Sequence, residues 1–205
     1  MGLIAKDTGE GDFSLAPQGT HLAICYMVAD LGLQESNFAG DKKVKHQCYV
    51  RWEMPHERVE WTTPEGQPKS GPMTIGKFYT VSLHEKSALR KDLEAWRGRA
   101  FTDEELKGFD LFNLLGVGCQ VTITHKDSGG KVRDNVGGIA GWPKGVPKAT
   151  ATENPVIKYS DDDRSQYSEL PDWIKKKLSE QADPNTPPPG QAGDPGATLD
   201  DEIPF

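Results

Sequence analysis

Val44-Lys-His-Gln-Cys-Tyr-Val-Arg-Trp-Glu53 is the stretch on which the fold class turns. Val44, His46, Cys48, Val50 and Trp52 fall at every second position, with Lys45, Gln47, Tyr49, Arg51 and Glu53 between them. A period of two puts the first set on one face of a β-strand and the second set on the other. The apolar set faces a core, with Trp52 in it; the polar set faces outward. Upstream, His21-Leu-Ala-Ile-Cys-Tyr-Met-Val-Ala29 is apolar on both faces, which predicts a central strand. Asn37–Lys43 reads as the turn joining the two. Downstream, Glu57–Thr62 extends the sheet after Pro55, Thr63–Pro72 is a Pro/Gly/Lys loop, and Ile75–His84 is a third strand. Gly76 within it marks a bulge or a close approach.

Helix comes next. Ser87 is an N-cap, Leu89, Leu93 and Trp96 recur at helical spacing, and Gly98 stops the run. Thr102-Asp-Glu-Glu105 is a capping box opening a second short helix with Leu106 on its apolar side. Phe109–Leu115 stays apolar until Gly116. Cys119, Val121 and Ile123 then alternate with polar residues, Asp127-Ser-Gly-Gly130 turns the chain, and Lys131–Ile139 returns with a bulge at Gly137-Gly138. Three strands, a helical insertion and two strands is the order of an OB-fold, a five-stranded Greek-key barrel. The expected fold class is therefore mainly β with a helical insertion, OB-fold-like, over residues 1–150. Residues 151–182 form an extension in which Leu170–Leu178 is a short amphipathic helix. That helix either packs on the body or contacts a partner or DNA. Residues 183–205 form a disordered acidic tail.

The formal charge of −7 is unevenly placed. Residues 160–205 carry eleven acids and four bases, whereas residues 1–159 carry twenty of each. A neutral body binds phosphates only where its bases cluster. Met1–Asp12 lacks the apolar run of a secretory signal, and no segment approaches the ~18 apolar residues of a membrane span. Cys25, Cys48 and Cys119 are odd in number and sit in strand-like contexts, which predicts buried free thiols in a reducing cytosol.

The tail runs from Pro184 through Thr198 with many Pro and Gly and no large apolar residue, so it cannot offset its ordering entropy. It ends in Asp200-Asp201-Glu202-Ile203-Pro204-Phe205. This tip resembles the DDDIPF terminus of bacterial single-stranded-DNA-binding proteins, differing only at Glu202. Five matches in six at a fixed position arise by chance on the order of once in several hundred thousand chains. The resemblance implies a partner-docking hook: Phe205 enters an apolar pocket, its carboxylate pairs with a rim Arg or Lys, and the three acids meet a basic surface. It covers the tip and its tether only. The N-terminal part lacks the bacterial opening pattern, so that family's tetramer and stacking residues are not carried over. The stretch Gly76–Gly118 is also similar to small phage-encoded proteins of replication and recombination modules.

A single-strand binder needs bases to track phosphates and aromatics on which nucleobases stack. Tyr49 lies between Lys45 and Arg51 on the polar face of the second strand, as a stacking platform or as a partly buried residue. Lys77 and Tyr79 share a face of the third strand. Lys126, Lys131 and Arg133 lie in the final hairpin, and Lys42 and Lys43 in the first turn. Trp52 and Trp96 belong to the core; Trp61 and Trp142 fit core or surface. No P-loop is present, His46 and Cys48 lack a second ligand pair, and Asp161–Asp163 reads as a solvated charge run. These absences predict no catalysis, no metal and no cofactor. The expected partners are single-stranded DNA and, through the tip, replication, recombination or repair proteins, with no membrane. The expected location is the cytoplasm, that of a bacterial host if the chain is phage-encoded. The competing expectations are an adaptor that mimics the host tail without binding DNA, and a strand-annealing protein.

Overall fold

The computed structural model describes residues 14–38, 41–63, 65–148 and 151–182. The tip residues Asp200, Asp201, Glu202, Ile203, Pro204 and Phe205 lie outside the described residues, as do the tether before them and the Lys42 side chain.

The chain is mainly β. Five strands form one antiparallel sheet: β1 (Gly19–Phe38), β2 (Asp41–Thr62), β3 (Pro68–Thr80), β4 (Gly118–Ser128) and β5 (Lys131–Gly141). Their order across the sheet is β3-β2-β1-β4-β5. The sheet curls until β3 and β5 approach each other, giving a half-barrel compatible with an OB-like arrangement. The doubly apolar first strand is central, as expected, pairing with β2 and with β4. Strands β1, β2 and β3 extend beyond the segments that the periodicity indicates. Asn37 and Phe38 pair with Lys42 and Asp41, so the first turn is the end of a long ribbon. Pro68–Pro72 is not loop but the start of β3, paired with Arg58–Thr62. Pro55 falls in the irregularity between Met54 and Arg58, where the β2–β3 register shifts. A proline cannot donate to a ladder, so pairing resumes beyond it.

The helical insertion obeys its local signals. Helix α1 (Ala88–Arg97) is capped by the Ser87 hydroxyl, which accepts from the Arg90 amide. It ends at Gly98 in the left-handed region, φ 67°, where glycine carries no Cβ strain. Leu89, Leu93 and Trp96 are buried against the concave face of the sheet. Helix α2 (Asp103–Lys107) opens with the complete Thr102/Glu105 capping box. Leu111–Leu114 is a single 3-10 turn. The bulge in β5 falls at Gly137, which the β4–β5 register skips.

The concave core holds Val50, Trp52, Ile75, Leu93, Trp96, Val121 and Ile139. All three cysteines are buried and free. Burial raises the Cys48 thiol to about 12 and likewise pushes Cys25 and Cys119 well above the usual thiol range, so none is a thiolate near neutral pH.

The convex face carries a second core, where the polar set of β2 was expected to face solvent. Residues 151–182 cross the outside of the sheet. A three-residue strand, β6 (Ile157–Tyr159), pairs in parallel with Met27–Ala29 of β1. Helix α3 (Asp172–Ser179) seats Ile174 against β1. Ile157, Tyr159, Leu170 and Ile174 close over Tyr26, Met27, Ala29, Leu31 and Tyr49. Burial of each large apolar side chain contributes about 2 kcal/mol. Glu53 pins the extension from below. Its carboxylate accepts from the Glu153 amide at 2.9 Å, the Asn154 amide at 2.9 Å and the Asn154 side chain at 2.8 Å. The expected amphipathic helix thus packs on the body.

Candidate nucleic-acid interface

The convex cover changes the position of Tyr49. It is buried, with its ring 4.8 Å from Phe78 and 4.9 Å from Trp173 of α3, centroid to centroid. Desolvation raises its hydroxyl to about 12. Its hydroxyl fills the space that a Cβ at Gly76 would need, so Gly76 is a close-approach point and not a bulge. Tyr49 is therefore not an open stacking platform. The extension that covers it lies over a hundred residues away in sequence, with no local signal on β2 to announce it.

Lys77 and Tyr79 share a face, as the alternation requires, but it is the concave one. Lys77 Nζ pairs with Asp92 of α1 at 2.7 Å, and the Tyr79 hydroxyl donates to the same carboxylate at 2.8 Å. Tyr79 is buried, and desolvation with the Asp92 charge drives its hydroxyl far above the usual range. These two residues anchor α1 to the sheet; they are not an exposed contact surface.

The structure brings three of the expected bases together elsewhere. Arg51, Lys131 and Arg133 line one broad groove between the β2–β3 ribbon and the β4–β5 hairpin. Ser14, Leu15 and Ala16 line it as well. Ala16 is fixed there by Asp134, which accepts its amide at 3.2 Å, and by His125, whose ring bonds its carbonyl at 2.8 Å. Arg51 donates to Thr74 Oγ1 at 2.8 Å and lies 5.9 Å from the Tyr26 ring. Its Nε is buried without a hydrogen-bond partner. A guanidinium held by one neutral hydroxyl keeps much of its charge available to an anion in the groove. Lys126 lies directly across the hairpin from Arg133. Lys43 and Lys45 are exposed on the separate β1–β2 ribbon.

The same groove holds Trp61, 47% exposed, against Gly71, with Val59 and Met73 beside it and the half-exposed Val132 opposite. Glu60 and Asp134 are its acidic residues. Trp61 is the aromatic that sequence reasoning left open. Its alternation with Val59 beyond Pro55 was the available signal, and the register with Lys69–Gly71 decides its side. Phe78, Tyr167 and Trp173 were missed as surface aromatics; all three are more than two-fifths exposed.

Among the described residues, no group of three or more His, Cys, Asp or Glu side chains is placed to hold a metal ion. Asp161 pairs with Arg164, and Asp163 accepts from Ser165, so the acidic run is used locally. No described helix is long and apolar enough to cross a membrane. No protein-family model and no curated protein matches the chain.

Proposed function

We propose that the protein binds single-stranded DNA in the groove between the β2–β3 ribbon and the β4–β5 hairpin, without catalysing a reaction. On this reading the half-barrel is an OB-type domain, and the 200–205 tip recruits replication, recombination or repair enzymes to the strand it holds. The observation that carries the reading is the exposed Trp61 in one groove with Arg51, Lys131 and Arg133. A ring with an open face accepts any base, and nearby cations neutralise phosphates without reading sequence. The strand order β3-β2-β1-β4-β5, with α1 closing the gap between β3 and β5, supports the OB assignment. The groove's two acids lie among three bases, so its affinity comes from stacking as well as from charge.

Anisotropy titrations of a labelled oligothymidylate of about 16 nucleotides test the groove. Trp61→Ala is expected to weaken binding about tenfold, because one stacked base contributes about 1–3 kcal/mol. Lys131→Glu with Arg133→Glu is expected to weaken it further and to flatten its salt dependence, since fewer counterions are released. Wild-type affinity in both variants would exclude the groove as the binding site.

A further inference from the structure

On the convex face, α3 builds a second aromatic surface. Trp173 stands edge-on to Tyr49, with an interplanar angle of 85°, and 5.8 Å from Phe78. Tyr49 is the buried floor of this triad, whereas Phe78 is 43% and Trp173 41% exposed. Leaving two large rings half in water across a helix–sheet junction is costly unless something else covers them. The surrounding charge identifies the chemistry of that cover. Lys177 Nζ sits 5.5 Å from the Phe78 ring, and among the described residues no carboxylate pairs with it. Lys45 is exposed on the same face of β2 as Tyr49, opposite Gln34, whose side chain donates to the Lys177 carbonyl at 3.2 Å. One cation thus lies against an open ring, and a second, Lys45, stands further along the same face of β2, four residues from Tyr49.

The surface also has a direction. Lys45, Tyr49 and Arg51 lie along one face of β2, and Arg51 lines the groove that holds Trp61. Tyr49 and Arg51 are two residues apart, about 7 Å at strand rise. The ledge and the groove therefore adjoin at Arg51.

We infer that Phe78, Trp173, Lys177 and Lys45 form a second contact surface for the same single strand. The strand leaves the groove past Arg51, and its next bases stack on the exposed rings of Phe78 and Trp173. The extension 151–182 then contributes directly to binding as well as covering the sheet. This inference rests on the single-strand reading of the groove. An acidic aromatic peptide is the other polyanion that such a surface would accept. A continuous strand is favoured because the ledge runs into the groove through Arg51.

The test uses the full chain and the same labelled oligonucleotide. Trp173→Ala, Phe78→Ala and Lys177→Glu are each expected to weaken binding about tenfold, with Trp173→Phe close to wild type. Phe78→Ala and Lys177→Glu leave Ile174 seated, so they carry the test even if Trp173→Ala loosens α3; thermal melts identify that case. Wild-type affinity in Phe78→Ala and Lys177→Glu, with Trp61→Ala still impaired, overturns the ledge and spares the groove. A wild-type chain that binds no single strand overturns both. A free Asp-Asp-Glu-Ile-Pro-Phe peptide that binds in a Lys177-dependent way, while the oligonucleotide is indifferent to Lys177→Glu, assigns the ledge to peptide and overturns the inference.

Discussion

Glu53 shows how one side chain can hold two layers together. It is almost fully buried on the convex side of β2, and its carboxylate takes three hydrogen bonds from Glu153 and Asn154. Removing acceptor capacity there leaves these partly buried N–H donors without their partner, which costs more than the bonds are worth in net terms. Glu53→Gln keeps the shape but turns an N–H₂ toward those donors. It is expected to lower stability by about 2 kcal/mol, read as a fall in the urea midpoint. An unchanged midpoint would mean that the 153–154 contact is not held by this carboxylate. The alternation Val44–Glu53 places Glu53 on the right face of the right strand. What lies over that face depends on residues 151–182, and no residue near Glu53 encodes them. Tyr49 teaches the same lesson: its face was legible, its cover was not. Trp61 is the converse case, in which the ribbon register and not the local pattern exposes the ring.

Among the elements, those with local chemistry were the most readable. Ser87 and Gly98 bound α1, Thr102 and Glu105 box α2, and Gly137 bulges β5 as their residue types require. The ends of β1, β2 and β3 were less readable, because a long ribbon is set by cross-strand pairing that overrides Pro, Gly and Lys. Strand β6 has three residues, too few for any periodicity to register. The α2 box carries a pH signature. Hydrogen bonds from Arg99 and the Thr102 amide, with Arg97 nearby, lower the Glu105 carboxyl to about 2 from its ordinary 4.5. A depressed carboxylate lends stability that is complete above its unfolded value and is lost as pH falls through its folded one. Glu105→Gln is therefore expected to melt below wild type near neutral pH. The gap should narrow below about 4.5 and close near 2. A gap that persists at the acidic end would assign it to packing and not to charge.

At the scale of the molecule, charge and topology divide the labour. The body carries equal numbers of acids and bases, and the excess of acid belongs to residues 160–205. The order of the five long strands along the chain was legible because each of them announced itself. The curl brings Arg51, Lys131 and Arg133 from two separate ribbons into one groove, a convergence that strand order alone does not specify. The same curl sends Lys77 and Tyr79 inward to Asp92, away from any ligand. A groove of this kind should prefer unpaired bases. Stacking on Trp61 needs a splayed base, and a duplex offers only its phosphates. The most direct measurement is a pair of equilibrium titrations of the full chain, one with a single-stranded oligonucleotide and one with its duplex, repeated between about 50 and about 200 mM salt. Single-strand binding in the groove predicts tighter binding to the single strand at every salt concentration, with affinity falling as salt rises. Equal affinity for the two forms, or no binding to the single strand, would contradict it.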